Sequence, residues 1–484
     1  MTWMPAASAT ATTSLTSPPP CVRAPSWIQV NLSQLVTNAE ILQAELAPHH
    51  IQLIPTIKAD AYGHGAVAVN QVLLEAGFNF VAVAALAEAV TLRAHQLARG
   101  IPMTDSDILV MSYCPPADIA TAAELGITMT VYDPEIVRQY VLVLRDAGVT
   151  KPLAVHIKVD SGFGRVGSLP TDFVDLLQYL ATVQDTIIVR GIYTHYSRAD
   201  DNISWTKQQY HNFMAMLVKA GTEDQLTFPD LQGDGAPTVD YAQLMDRVFD
   251  CLRSGSCLQD LAGVDVAADG SVAASAAPRW LSVLKNLQYV HTCNSAASVR
   301  APELCGSAAR VGIALYGGMA TPEQPRTEGV QPALRWLTSV AQVKFLPGGH
   351  TIGYGQLYTV PAEGQHIAVL PVGYSNGVRR SPKPWSHVKL QGYTLPLLGR
   401  VSMEKIAVDV QPLYDAGLQV HAGDEAILMD WSGHNTVQDV AQAIGTIDYD
   451  VFTSMLARQP RSGPLACSVE YIWPNGTRTT GQTL

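Results

Sequence analysis

Between Ile51 and Gly317, short runs of apolar and β-branched residues alternate with longer helix-like runs. The short runs fall at approximately 51–57, 78–84, 107–112, 127–132, 152–159, 187–194, 287–292 and 309–315. Five helix-like runs stop at glycine, at Gly77, Gly100, Gly126, Gly148 and Gly221. Glycine accepts the left-handed conformation that ends helices. Repeated strand–helix units predict a parallel sheet covered by helices, and eight strands are the number that closes it into a (β/α)8 barrel of the TIM type.

After Gly317 the texture changes. Pro322, Pro325 and Gly329 mark a linker, and the chain turns to period-two segments such as Val388–Gln391 and Lys405–Val410. That pattern predicts a separate, mostly β C-terminal domain over 328–484. The barrel domain is expected over 26–320, interrupted at 222–285 by Gly/Asp/Ala/Ser-rich stretches around a helix-like piece near Tyr241–Leu252, which read as a surface insertion. An apolar run, Trp27–Leu32, precedes the barrel's first helix, and no sequence rule decides whether it pairs with the second domain.

A chain of 484 residues with 47% hydrophobic content can bury the cores of two such domains. The net charge of −11 argues against nucleic acid or an anionic membrane as partner, while leaving room for a local basic pocket. No apolar stretch approaches membrane-spanning length. Residues 1–25, rich in Ala, Ser, Thr and Pro, resemble a disordered tail rather than a secretory signal. The seven cysteines are scattered, and Cys251 and Cys257 lack zinc-type companions, so no metal site is expected and a reduced, cytoplasmic setting fits.

Chemistry collects where strands end, which in a barrel is the active-site face. The first strand delivers Lys58 into Ala-Asp-Ala-Tyr62-Gly-His-Gly65. A lone lysine is usually a solvated cation, but one closing an apolar strand is partly desolvated, which lowers its pKa and exposes an amine nucleophile. Such an amine forms Schiff bases with a substrate carbonyl or with pyridoxal phosphate. The loops after strands seven and eight, where barrels often hold phosphate, carry Asn294-Ser295 and Arg310-Val-Gly312-Ile313. Ser295 offers a hydroxyl and Gly312 a close backbone approach; taken alone they are equally an ordinary helix cap and turn. His195 closes strand six, and Arg165 follows strand five, where it could grip a carboxylate or form a surface salt bridge.

These segments resemble the alanine racemase family from about Trp27 to Arg461, apart from the insertion. The anchors are Lys58-Ala-Asp-Ala-Tyr-Gly-His-Gly, Lys158-Val-Asp-Ser-Gly-Phe-Gly-Arg, Tyr193-Thr-His-Tyr, Cys293-Asn-Ser-Ala, Arg310-Val-Gly-Ile-Ala-Leu-Tyr-Gly, Gly353-Tyr-Gly, Gly373-Tyr-Ser-Asn-Gly and Gly399-Arg-Val-Ser-Met-Glu. The resemblance implies that Lys58 carries pyridoxal phosphate in Schiff-base linkage. It implies a phosphate site of Tyr62, Ser295, Gly312, Ile313 and Tyr374, with Asn294 in the same loop and His195 beside the ring. Arg310 would hydrogen-bond the pyridine nitrogen, and a guanidinium does not readily yield its proton. Arg165 and the Met403 backbone would orient the substrate carboxylate, and Lys158 is the position often carbamylated.

The same resemblance implies an isomerase interconverting the alanine enantiomers with two bases, Lys58 and Tyr354, the tyrosine arriving from the partner in a homodimer, and a role in supplying D-alanine for peptidoglycan. Four positions depart from the family pattern. Glu404 replaces an aspartate, which alters the shape of the substrate entrance; Ser402 replaces a frequent cysteine, and Ser375-Asn376 a common Ala-Asp. Other readings of the same residues are a serine or broad-specificity racemase, a non-catalytic pyridoxal-phosphate-binding protein and a cofactor-free Schiff-base aldolase.

Overall fold

The computed structural model describes residues 23–219, 286–321, 326–456 and 467–481, with Val283 and two short strand pieces inside the expected insertion. Residues 1–22, Gly221, the 241–252 piece and the rest of 222–285 lie outside the described residues. In chain order the first strands are β1 (Arg23–Asn31), β2 (Gln52–Pro55), β3 (Phe80–Val83), β4 (Asp107–Val110), β5 (Thr128–Val131), β6 (Leu153–Lys158) and β7 (Ile187–Tyr193). Then come β8 (Asp265–Val266), β9 (Val272–Ala273), β10 (Tyr289–His291) and β11 (Ala308–Val311).

Eight of these make one sheet in the order β2-β11-β10-β7-β6-β5-β4-β3, and its pairings are all parallel. It closes on itself where Thr56 bridges Ala82 and the Ile57 N–H donates to the Ala82 carbonyl at 2.8 Å. The barrel predicted from the alternation is therefore present. Gly77, Gly100, Gly126 and Gly148 all take positive φ at the ends of their helical segments. The eighth run is shorter than its apolar pattern: β11 stops at Val311, and Ile313–Tyr316 form a 3₁₀ turn. Gly312 turns the chain there at φ −108° and ψ −92°, and its N–H donates to Ser295 Oγ at 2.9 Å.

The opening strand belongs to the other domain. β1 pairs antiparallel with Leu334–Ser339 and parallel with Cys467–Ile472, inside a ten-stranded sheet whose other pairings are antiparallel. It begins four residues before the apolar run, so residues 23–25 are strand and not tail. Backbone pairing and a 2.9 Å hydrogen bond from Thr338 Oγ1 to the Pro25 carbonyl hold that start.

Helix Leu32–Leu46 connects the two domains. Asn31 caps it by accepting from the Gln34 N–H at 3.0 Å, and Leu32, Leu35, Ala39, Leu42 and Leu46 form its buried face. On that face Asn38 donates to the carbonyls of Leu315 and Gln331 and accepts from the Gln331 N–H, tying the linker to the barrel. A second contact decides what the site looks like. Helix Asp448–Leu456 from the C-terminal domain lies against the mouth of the barrel, Asp448 accepting from the Met319 N–H at 2.7 Å and Phe452 meeting the His64 ring at 5.0 Å. Burying a phenylalanine as fully as Phe452 stabilises by about 2–3 kcal/mol.

Candidate active site

The segment after β2 takes an unusual path. Ala59, Asp60, Ala61 and Tyr62 have φ of 53°, 53°, 55° and 52°, a left-handed turn of four consecutive residues that each carry a Cβ. Left-handed backbone costs about 1–2 kcal/mol per such residue, so the turn exists only because its surroundings hold it. Glu88, in the first turn of helix Leu86–Ala98, accepts from the Ala59 N–H at 2.6 Å through Oε1, and through Oε2 from the N–H groups of Ala84 and Ala85 at 2.9 and 3.0 Å. Asp60 accepts from the Ala66 N–H at 2.7 Å. His64 Nδ1 lies 3.1 Å from the carbonyls of Ala61 and Tyr62, and burial pushes that imidazole down to about 3, so it is a neutral donor to them.

The turn aims two side chains into a cavity of about 300 Å³ at the C-terminal ends of the strands. One is Lys58. The other is Tyr62, whose ring packs on Tyr316 at 5.0 Å and on Tyr449 at 5.9 Å. Its hydroxyl approaches Gly312 so closely that a Cβ there would lie 2.3 Å away, which is why this position takes glycine. Thr56, Lys158, Arg165, Tyr193, His195, Asn294, Ser295 and Arg310 complete the walls. Asn294 caps the short helix Ser295–Arg300 by accepting from the Ala297 N–H. The sequence-predicted barrel residues thus converge on one pocket, with Ile313 buried immediately after Gly312.

The electrostatics are those of an anion site built around an amine. Burial first, then the charges of Arg165 and Arg310, lower the Lys58 pKa against the opposing pull of Glu88. The same causes, with Lys58 added, bring Lys158 down to about 8, Asp160 opposing. Arg310 is itself buried. Its Nη1 donates to His291 Nδ1 at 2.7 Å and the His291 carbonyl at 2.8 Å, and its Nη2 to the Thr194 carbonyl at 2.7 Å and His195 Nδ1 at 3.1 Å. Burial and then Arg310 keep His195 well below its usual pKa, hence neutral. Tyr193 stacks on His291 at 4.6 Å and lies under the Arg310 guanidinium at 4.7 Å.

Tyr354, Tyr374 and Met403 are not in this pocket. Tyr354 is 65% exposed and Met403 55% exposed. Tyr354 and Tyr374 share a second, open groove of about 800 Å³ with Arg379, Arg380 and Arg400, the Arg380 guanidinium lying 5.7 Å from each tyrosine ring. Sequence reasoning missed Glu88, Thr56, Tyr449, His156 and His291. Glu88 accepts from the Ala85 N–H as the third residue of its helix, but alanine at the cap lacks the hydroxyl that completes a capping box, so the sequence carried no such signal. His156 lies two residues inside β6, where the strand-end rule does not reach, whereas His291 is the last residue of β10 and was within that rule's reach.

Two family models match the chain. The one described as "Alanine racemase, N-terminal domain" covers residues 30–259, and "Alanine racemase, C-terminal domain" covers residues 333–463. The alanine racemase of Desulforamulus reducens is 30% identical over 91% of this chain and 99% of its own length. This chain belongs to the alanine racemase family. The alanine racemase of Carboxydothermus hydrogenoformans is 29% identical over 90% of this chain and 99% of its own. Among solved structures, the alanine racemase of Clostridium difficile 630 superposes with a TM-score of 0.72 at 26% identity, covering 95% of this chain and 99% of that one. The Bacillus anthracis enzyme with bound L-Ala-P gives 0.69 at 27% identity, covering 95% and 97%. This family is one of isomerases, and the barrel followed by a β domain is its fold.

Proposed function

We propose that this protein interconverts L- and D-alanine with pyridoxal phosphate as cofactor, working as a cytoplasmic homodimer that supplies D-alanine for peptidoglycan. The observation that carries the reading is a site divided within the chain: the amine of Lys58 sits in the barrel pocket, while the second candidate base, Tyr354, stands exposed on another surface. A second copy that presents its Tyr354 and Met403 to this pocket completes it.

The pocket's donors fit the cofactor. Lys58 has its amine shifted toward the neutral, nucleophilic form. Gly312 leaves a cradle that a Cβ would fill, beside the hydroxyls of Tyr62 and Ser295. Among the described residues the buried Thr56 hydroxyl has no protein partner, which leaves it available to a bound group. Arg310 commits four of its five N–H donors to His291, Thr194 and His195, which leaves Nε–H for the pyridine nitrogen. Ile313 follows the cradle and Asn294 shapes its loop, while Tyr449, and not the expected Tyr374, brings a second phenol to the pocket wall, where it packs on Tyr62; neutral His195 would pack by the ring.

When bound, pyridoxal phosphate supplies the electron sink that lets the α-proton of alanine leave. Arg165 holds the substrate carboxylate, together with the Met403 backbone. Lys58 takes or returns the α-proton on one face, and Tyr354 from the second copy does so on the other. Arg310 would face the ring nitrogen of a bound cofactor with a guanidinium that does not readily yield its proton, and so would leave that nitrogen unprotonated. The names of the relatives and the bound L-Ala-P of one support alanine as the substrate.

Mixing chains tests the division. Lys58→Ala and Tyr354→Phe chains should each be inactive alone, and co-expressed heterodimers should racemise alanine at up to about half the wild-type rate per dimer, since one of two sites is intact. Chiral chromatography reads the product. No recovery in verified heterodimers would place both bases within one chain.

A further inference from the structure

The carboxylate of Asp160 touches neither pocket nor amine, yet it organises the loop that carries Arg165. Its Oδ1 accepts from the N–H groups of Gly162 at 3.0 Å, Phe163 at 2.8 Å and Gly164 at 3.1 Å. Its Oδ2 accepts from Gly164 at 2.9 Å and Arg165 at 3.0 Å. Four consecutive backbone donors therefore converge on one buried side chain. The loop is also pinned at its base, where the Asp160 N–H donates to the Ser168 carbonyl and the Ser168 N–H to the Lys158 carbonyl. A Cβ at Gly167 would come within 2.5 Å of the Asp160 nitrogen, so the two ends of the loop lie in contact. Inside it, the Arg165 guanidinium rests on the Phe163 ring at 4.2 Å, and that ring meets His195 at 5.4 Å. Among the described residues no carboxylate or carbonyl holds the guanidinium, so backbone and ring alone aim it.

We infer that Asp160 is the positioning residue for Arg165: it folds residues 162–165 around its own oxygens and so presents the guanidinium to the substrate carboxylate. The inference rests on the reading of Arg165 as the carboxylate ligand. Its chemistry gives the substitution a diagnostic sign. Asp160→Asn removes a negative charge near the pocket, which by electrostatics alone tightens anion binding. The new amide also sets an NH₂ group against N–H donors that need an acceptor. The loop then loses its shape, and anion binding weakens.

The probe is propionate, an alkyl carboxylate without the reacting amine, titrated calorimetrically into the holoenzyme. Asp160→Asn is expected to weaken propionate by at least about tenfold, the order of a lost charge-assisted hydrogen bond. It should raise the KM for alanine far more than it lowers kcat. In an Arg165→Ala background the same substitution should change propionate affinity little, because the guanidinium that it positions is gone. Gly164→Ala strains the loop at φ 73° in open space and leaves the carboxylate intact; it should weaken propionate in the same direction if Asp160→Asn does not fold. Unchanged or tighter propionate binding in a folded Asp160→Asn protein overturns the inference. If Arg165→Lys also leaves propionate affinity unchanged, the assignment of Arg165 itself fails; if only Arg165→Lys weakens it, Asp160 alone is misassigned.

Discussion

Lys158 shows most plainly how burial becomes chemistry at a single residue. Burial and the nearby Arg165, Arg310 and Lys58 bring its amine down to about 8 from an unperturbed 10.5. The unfolded chain therefore holds the proton that the folded chain gives up between those values. Folding stability should rise with pH across that window, and below about pH 8 the buried cation costs roughly 3 kcal/mol. In cofactor-free protein and carbon-dioxide-depleted buffer, Lys158→Met should raise Tm by several degrees at pH 7, and the gain should fade above about pH 10. A neutral amine beside a guanidinium also takes up carbon dioxide, turning repulsion into attraction. Bicarbonate near pH 8 is accordingly expected to raise the wild-type Tm and not that of Lys158→Met; an equal response in both would mean an unmodified lysine. Lys158 entered through the family resemblance, and the structure shows it as the last residue of β6. Asp160, His156 and His291 were not read, because their partners are backbone groups and side chains from distant segments.

At the scale of elements, the turn from Ala59 to Tyr62 was legible as a turn but not in its handedness. Alanine and tyrosine disfavour positive φ and aspartate only tolerates it; propensity gave way to a tertiary hydrogen bond accepted by Glu88 and to local ones accepted by Asp60 and donated by His64. Glu88→Ala strands three backbone donors on two elements. It should lower stability by about 1–3 kcal/mol, and cofactor affinity by about tenfold or more as Lys58 loses its aim. Adding Ala59→Gly should restore part of the stability, since glycine takes φ near 53° without a Cβ penalty. Thermal melts and cofactor titrations check both. Full cofactor affinity in Glu88→Ala would show that the turn holds itself.

For the whole molecule, the eight strand runs and the glycine stops carried the barrel, because buried parallel strands leave a continuous apolar trace. The placement of β1 was not readable, since a parallel pairing with Cys467–Ile472 across more than four hundred residues follows from no local pattern. The site divides in the same way. Barrel residues could be grouped by the strand-end rule, whereas Tyr354, Tyr374 and Met403 come from the β domain, and within one chain Tyr354 and Met403 face outward. In the proposed reaction Lys58 and Tyr354 work on opposite faces of one substrate. The most direct measurement is α-proton exchange by Tyr354→Phe in heavy water, following each alanine enantiomer separately. Racemisation should be nearly abolished in both directions while D-alanine still exchanges its α-proton through Lys58. Exchange of L-alanine without D-alanine, or racemisation at the wild-type rate, would contradict it.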